Sequence, residues 1–251
     1  MKAFVINLRS NPERRAFMAA QLEGLGLDYE FFEAKLGAEY CADPRWHDPA
    51  RSRAEISREL RAGEVGAALS HAFVYREIVE RGLPWALVLE DDAVLHGDLA
   101  TVLDSLEKGV LEQGDLVFLE RCDFIRPFSS RRLTGRYRIA KPILVKIGSV
   151  AQAAGYVVTL EAARRMMDAN IPVHVPADAW GFYKGLANFR GVTPTLTLIQ
   201  QKVDFGSTTM EGVRPAFRRH NLFLILGYGF FMYTGLGRWM RRGLKSRGLM
   251  R

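Results

Sequence analysis

Glu90-Asp91-Asp92 sets three carboxylates in a row directly behind the apolar run Trp85-Ala86-Leu87-Val88-Leu89, and Ala93-Val94-Leu95 resumes the apolar pattern. Neighbouring carboxylates repel one another unless a cation or hydrogen-bond donors lie among them. Oxygen-only clusters suit hard divalent ions, and Mg²⁺ or Mn²⁺ held this way keeps positions open for phosphates. Asp92 is the leading candidate ligand, with Glu90 and Asp91 contributing directly, through water or through contacts to a bound molecule. A solvated acidic turn leading into a helix near Asp98 is the other reading. Further candidates are Asn7 and Arg9 after an apolar N-terminal run, the Arg14-Arg15 pair, the dipeptide Ser70-His71, and Asp178. Glu120 and Asp123 compete with Asp178 wherever a base is needed. His174, between two valines, reads as structural.

Elements must position these groups. A short apolar run between turn signals reads as a buried strand, which puts the acids at its carboxyl edge, where open α/β sheets bind ligands. Met1 to Leu8 reads as a first strand that begins almost at the initiator methionine, with Asn7 near its end. Ser10-Asn11-Pro12-Glu13 is a helix start with a capping side chain and a first-turn proline. Tyr29 to Ala34 is a second strand, and Gly37 to Leu60 a long surface loop with one short helix. Val65, Ala68, Ala72, Tyr75 and Val79 follow a three-four rhythm, predicting an amphipathic helix over 62–81 that carries Ser70 and His71. Leu116–Leu119, Ile143–Val145 and Gly155–Val158 read as strands, Arg121–Lys141 as a mobile excursion, and 161–169 as a helix capped by Thr159. Strands alternating with helices define an α/β sheet protein.

The 251 residues, 48% hydrophobic and 25% charged, suit one large globular domain or a core with an appendage. Two cysteines, Cys41 and Cys122, show neither metal spacing nor a disulfide framework, and the N-terminal apolar stretch is short for a signal peptide. Both point to a cytoplasmic protein. The net charge of +7 is concentrated in the tail: nine cations and no acid follow Glu211, leaving 26 basic against 28 acidic residues elsewhere. A nucleic-acid partner would call for a basic face on the core, and the core has no such excess. The tail also carries the apolar, aromatic stretch Leu222–Tyr233, shorter than the roughly 20 residues that span a bilayer. Aromatics beside a polybasic end suit peripheral attachment to the inner face of the cytoplasmic membrane. A helix packed on the core with a solvated basic end is the alternative.

Taken in order, Val5-Ile6-Asn7-Leu8 with Glu13-Arg14-Arg15, Tyr29-Glu30-Phe31-Phe32-Glu33-Ala34, Gly63-Glu64-Val65-Gly66-Ala67-Ala68-Leu69-Ser70-His71, Leu89-Glu90-Asp91-Asp92-Ala93 and Ala154-Gly155-Tyr156-Val157-Val158 resemble glycosyltransferase family 25, the lipopolysaccharide and lipooligosaccharide sugar transferases. The likeness covers residues 1 to about 210. It implies a GT-A type fold over 1–213, a mostly parallel central sheet flanked by helices, with 214–251 as a C-terminal appendage. It also implies a divalent cation (Mn²⁺ or Mg²⁺), a nucleotide-sugar donor that is most often UDP-galactose, inversion at the anomeric carbon, and a lipid-linked oligosaccharide acceptor. The family's Pro-[IV]-Asp element is replaced here by Pro176-Ala177-Asp178, which keeps the acid and changes its neighbour.

On that reading Asp92, Glu90 and Asp91 hold the cation, and Asn7, Arg9, Arg14, Ser70 and His71 contact the donor. Asp178 takes the proton of the acceptor hydroxyl, a role that general-base catalysis makes worth roughly 10²- to 10⁴-fold. Arginines on a helix are also often solvated, and a histidine in this position also suits helix–sheet packing. Two other classes remain open. A sugar nucleotidyltransferase would carry a glycine-rich phosphate loop after the first strand, and Asn7-Leu8-Arg9-Ser10-Asn11 has no glycine. A non-catalytic lipid- or nucleic-acid-binding protein would leave the carboxylate cluster without a purpose.

Overall fold

The computed structural model describes residues 1–120, 122, 125–126, 128–144, 152–193 and 199–201. Asp123, Val145 and the tail from 214 onward lie outside them. The described residues form ten strands: β1 (Lys2–Asn7), β2 (Tyr29–Glu33), β3 (Trp85–Glu90), β4 (Ala93–Leu95), β5 (Asp115–Phe118), β6 (Arg131–Thr134), β7 (Tyr137–Ala140), β8 (Gly155–Thr159), β9 (Asn188–Thr193) and β10 (Ile199–Gln201). Five α-helices accompany them among the described residues: α1 (Pro12–Gly24), α2 (Pro49–Ile56), α3 (Ala62–Glu80), α4 (Leu99–Glu107) and α5 (Leu160–Met166).

The main sheet runs β2-β1-β3-β8-β5-β9-β7-β6, and β4 pairs separately with β10. It is mixed, not mostly parallel. β2, β1 and β3 are mutually parallel and β5 is parallel to β9, but β8 lies antiparallel between β3 and β5, and β7 and β6 extend the edge antiparallel. An apolar run specifies a buried strand but not its direction, so this feature was not available from the pattern.

Alternation along the strands divides the core into two faces. Phe4, Val88, Phe118, Tyr156 and Val158 turn to one side, against Val74, Tyr75 and Ile78 of α3 and Ala162, Ala163 and Met166 of α5. Val5, Leu87, Leu89, Val117 and Val157 turn to the other, against Met18 and Leu22 of α1 and Leu99, Val102 and Leu106 of α4. Each fully buried side chain of this kind contributes roughly 1.5–3 kcal/mol.

The segment 37–60 is more ordered than a surface loop. It contains a 3-10 turn (Gly37–Glu39) and α2, whose first turn is capped by Asp48 accepting from the Arg51 N–H at 2.9 Å. Trp46 lies edge-on to Tyr40 and tilted on Phe73 of α3. Gly37 and Gly66 let the chain after β2 lie on the backbone of α3: a Cβ at Gly66 would stand 2.4 Å from the Lys35 carbonyl oxygen.

Other expectations are corrected. The described part of 121–141 is a β6–β7 hairpin at the sheet edge, not a mobile excursion. Ile143 and Leu144 are not in a strand, although Pro142 bridges Ile125. Asn11 and Thr159 stand at the helix starts without side-chain capping bonds. The Thr159 hydroxyl instead donates to the Asp115 carbonyl at 3.1 Å and accepts from the Gly114 N–H at 3.0 Å.

Candidate active site

Strand register brings the candidate acids to one edge. Ile6 of β1 stands opposite Glu90 of β3, and Phe118 of β5 stands opposite Tyr156 of β8, so Asn7, Glu90 and Glu120 emerge at neighbouring strand ends. β8 starts at the same edge: the Glu90 N–H donates to the Ala154 carbonyl at 3.0 Å, and the Ala154 N–H donates to Glu120 Oε1 at 3.0 Å.

The three acids have different surroundings. Asp91 is buried, and both its oxygens are engaged: Oδ1 accepts from Arg14 Nη1 at 2.7 Å and Oδ2 from Asn7 Nδ2 at 2.8 Å. Arg14 is therefore no solvated helix cation. It lies 6% exposed beneath the triplet, with Asp92 Oδ2 3.7 Å from the same nitrogen. Asp92 is mostly buried, and its Oδ1 has no partner. Burial, then the charge of Glu90, push its carboxyl up to about 6 against the opposing pull of Arg14. Asn7 also keeps a buried, unpartnered Oδ1. Glu90 sits at the rim, its Oε1 3.4 Å from His71 Nε2. Asp92, with Glu90 beside it, could hold a divalent cation through its unpartnered oxygen, whereas both Asp91 oxygens already accept hydrogen bonds from Arg14 and Asn7. Asp91 and Arg14 thus form a buried ion pair beneath the triplet.

His71, 4% exposed on α3, has Nδ1 2.7 Å from the Tyr156 hydroxyl, which in turn lies 2.8 Å from the Tyr75 hydroxyl. Ser70 faces the packing: its hydroxyl donates to the Gly66 carbonyl at 2.7 Å and accepts from the Lys35 N–H at 2.8 Å. Arg9 is exposed and paired with Glu33.

Asp178 is partly buried in the segment before a 3-10 turn (Trp180–Tyr183). Trp180 anchors this segment, edge-on to Tyr156 at 5.4 Å and tilted on Phe118 at 5.0 Å. Asp178 lies within electrostatic reach of Glu120. Burial first, then Glu90 and Asp178, push the buried Glu120 carboxyl well above the usual carboxylate range. The structure therefore brings Asp178, Glu120 and Glu90 into one electrostatic cluster. His174 is buried with Nδ1 3.0 Å from the Pro172 carbonyl oxygen, as a structural histidine should be. Tyr75 was not foreseen. Its position one helical turn after His71 was the available signal, hidden because the same spacing marks an ordinary core face.

A mixed α/β sheet thus gathers an acidic cluster at its strand ends, the edge at which open α/β sheets bind ligands. Residues 1–180 match the sequence profile of "Glycosyltransferase family 25 (LPS biosynthesis protein)", and the chain belongs to that family. It is 28% identical over 182 residues to a "Glycosyltransferase 25 family member" of Aedes aegypti, covering 66% of this chain and 27% of that protein. It is 29% identical over 192 residues to a "Probable inactive glycosyltransferase 25 family member 3" of Rattus norvegicus, covering 70% of this chain and 32% of that protein. The match thus spans less than a third of either relative. A solved glycosyltransferase involved in glycosylation of the major capsid of PBCV-1 aligns with a TM-score of 0.32 at 9% identity, over 66% of this chain and 62% of that one, too distant to define the fold.

Proposed function

We propose that the protein transfers a hexose, galactose first among candidates, from a UDP-sugar to a growing lipopolysaccharide or lipooligosaccharide acceptor, with inversion, on a GT-A type fold. The observation that carries this reading is the buried, unpartnered Asp92 oxygen beside Glu90, set by the Asn7–Asp91–Arg14 network at the strand ends. Among the described residues no three His, Cys, Asp or Glu side chains form a ready-made metal cage. Mg²⁺ and Mn²⁺ sites commonly use one or two carboxylates and complete the shell with substrate phosphates and water, so Asp92 and Glu90 fit such an ion. When bound, the ion would stabilise charge on the departing diphosphate.

The chain's own residues supply the rest. Asn7 and Arg14 hold Asp91 and so fix the turn that presents Asp92. Asp178 takes the acceptor proton. Glu120 is the weaker candidate for that role, because its burial favours the protonated form, which has no free lone pair ready for the acceptor's proton. The basic, aromatic tail keeps the enzyme on the cytoplasmic membrane face, beside a lipid-linked acceptor.

The relative named inactive supports a second reading, in which the same site binds a nucleotide sugar without transferring it. One experiment separates them: a screen of UDP-sugars with Mn²⁺, with and without a chelator. Turnover of one UDP-hexose, abolished by chelation and by Asp92→Asn, is expected. Metal-dependent UDP binding without turnover would establish the second reading, and neither binding nor turnover would remove both.

A further inference from the structure

We propose that Tyr75 and Tyr156 act as positioning residues, fixing the ring of His71 so that its Nε2–H is presented to Glu90. The inference rests on Glu90 belonging to the donor site. The chain of contacts is continuous: Tyr75 Oη to Tyr156 Oη 2.8 Å, Tyr156 Oη to His71 Nδ1 2.7 Å, and His71 Nε2 to Glu90 Oε1 3.4 Å.

Direction follows from the end of the chain. A carboxylate only accepts, so Nε2 carries the hydrogen; in the neutral ring Nδ1 then accepts, and Tyr156 must donate to it. Tyr156 has its second contact at the Tyr75 hydroxyl, which donates in turn. Burial pushes both phenols up, so both keep the protons this direction needs. The Tyr156 ring also stacks on the imidazole at 5.7 Å and 27°, which limits the ring's tilt.

Packing alone does not account for the two hydroxyls. Tyr156 is fully buried and Tyr75 5% exposed, in a core face that is mainly apolar and holds one further tyrosine, Tyr183. Phenylalanine would fill both places without a buried polar group that must be satisfied. Their three oxygen and nitrogen contacts lead in one line from the core to the rim, and they end on the carboxylate next to Asp91 and Asp92. Partners of this outer kind hold a reacting or ligating group in orientation, and removing one typically costs 10- to 100-fold in affinity or activity.

The test uses the full chain in four forms: wild type, Tyr156→Phe, His71→Gln and the double variant. The glutamine amide reaches Glu90 without needing Tyr156. Tyr156→Phe should lower kcat for sugar transfer roughly 10- to 100-fold with little change in donor KM, yet add no further loss in the His71→Gln background. An equal loss in both backgrounds, or none in either, overturns the proposal, because a packing role would act independently of residue 71. A second readout needs no turnover. Nitrogen NMR of the imidazoles, with His71 assigned by its absence in His71→Gln, should show one Nε2–H tautomer in the wild type and a mixture in Tyr156→Phe. A hydrogen on Nδ1 in the wild type, or an unchanged tautomer in the variant, overturns it. If the wild type transfers no sugar, the proposed activity fails while the tautomer result still decides this one.

Discussion

Asp92 combines a buried oxygen lacking a partner with a carboxyl pushed up to about 6. A carboxyl that ionises at about 3.8 when unfolded and about 6 when folded binds its proton more tightly in the native state. Its charge therefore costs stability at pH 7, and that cost fades as pH falls from 6 towards 4. Without divalent ions, Asp92→Asn should raise the melting temperature at pH 7 by a few degrees, the shift expected of about 1–2 kcal/mol in a chain of this size. Calorimetry at pH 7 and pH 4 checks this: the gain should vanish at the lower pH, while transfer is lost throughout. Protons compete with the cation for the same oxygen, so Mn²⁺ affinity should weaken below pH 6. That carboxylates gather at a strand end was legible, because the apolar run and the acids behind it are adjacent in sequence. Which of the three is available was not. That is decided by Asn7 and Arg14, 84 and 77 residues away from Asp91, and no local pattern reports such contacts.

Helix α3 does two jobs at different points along its length. Its first turns hold the chain after β2 through the Gly37–Gly66 approach, and its middle turns carry His71 and Tyr75 to the acidic edge. Gly66→Ala would drive a methyl against the Lys35 carbonyl and the Gly37 backbone, neither of which is a flexible side-chain end. Overpacking of this kind costs about 1–3 kcal/mol. Urea denaturation should show that loss, with a parallel loss for Gly37→Ala and none for Gly24→Ala, where an added Cβ meets nothing within 4 Å. The existence of α1, α3 and strands β1, β2, β3, β5 and β8 was readable because apolar periodicity is a local property. Strand direction and the β6–β7 hairpin were not: Arg131 and Arg132 face solvent, and an arginine-rich edge strand has the composition of a loop.

At the scale of the whole molecule, charge is partitioned between a near-neutral body and a cationic end. Replacing Arg238, Arg241, Arg242, Lys245 and Arg247 by glutamine should weaken sedimentation with vesicles containing anionic lipid and leave donor hydrolysis unchanged. At about 1 kcal/mol for each cation near such a surface, the loss is large enough to read directly. Equal sedimentation of both proteins would argue against attachment through these cations. The opposite end of the sheet has its own electrostatics. β6 closes the strand order, and Arg131 and Arg132 project from it into water. If a second copy joined its own β6 there, four guanidinium groups would crowd into one short ladder, and their repulsion would oppose the union. Copies of this chain are thereby discouraged from zipping edge to edge into fibres.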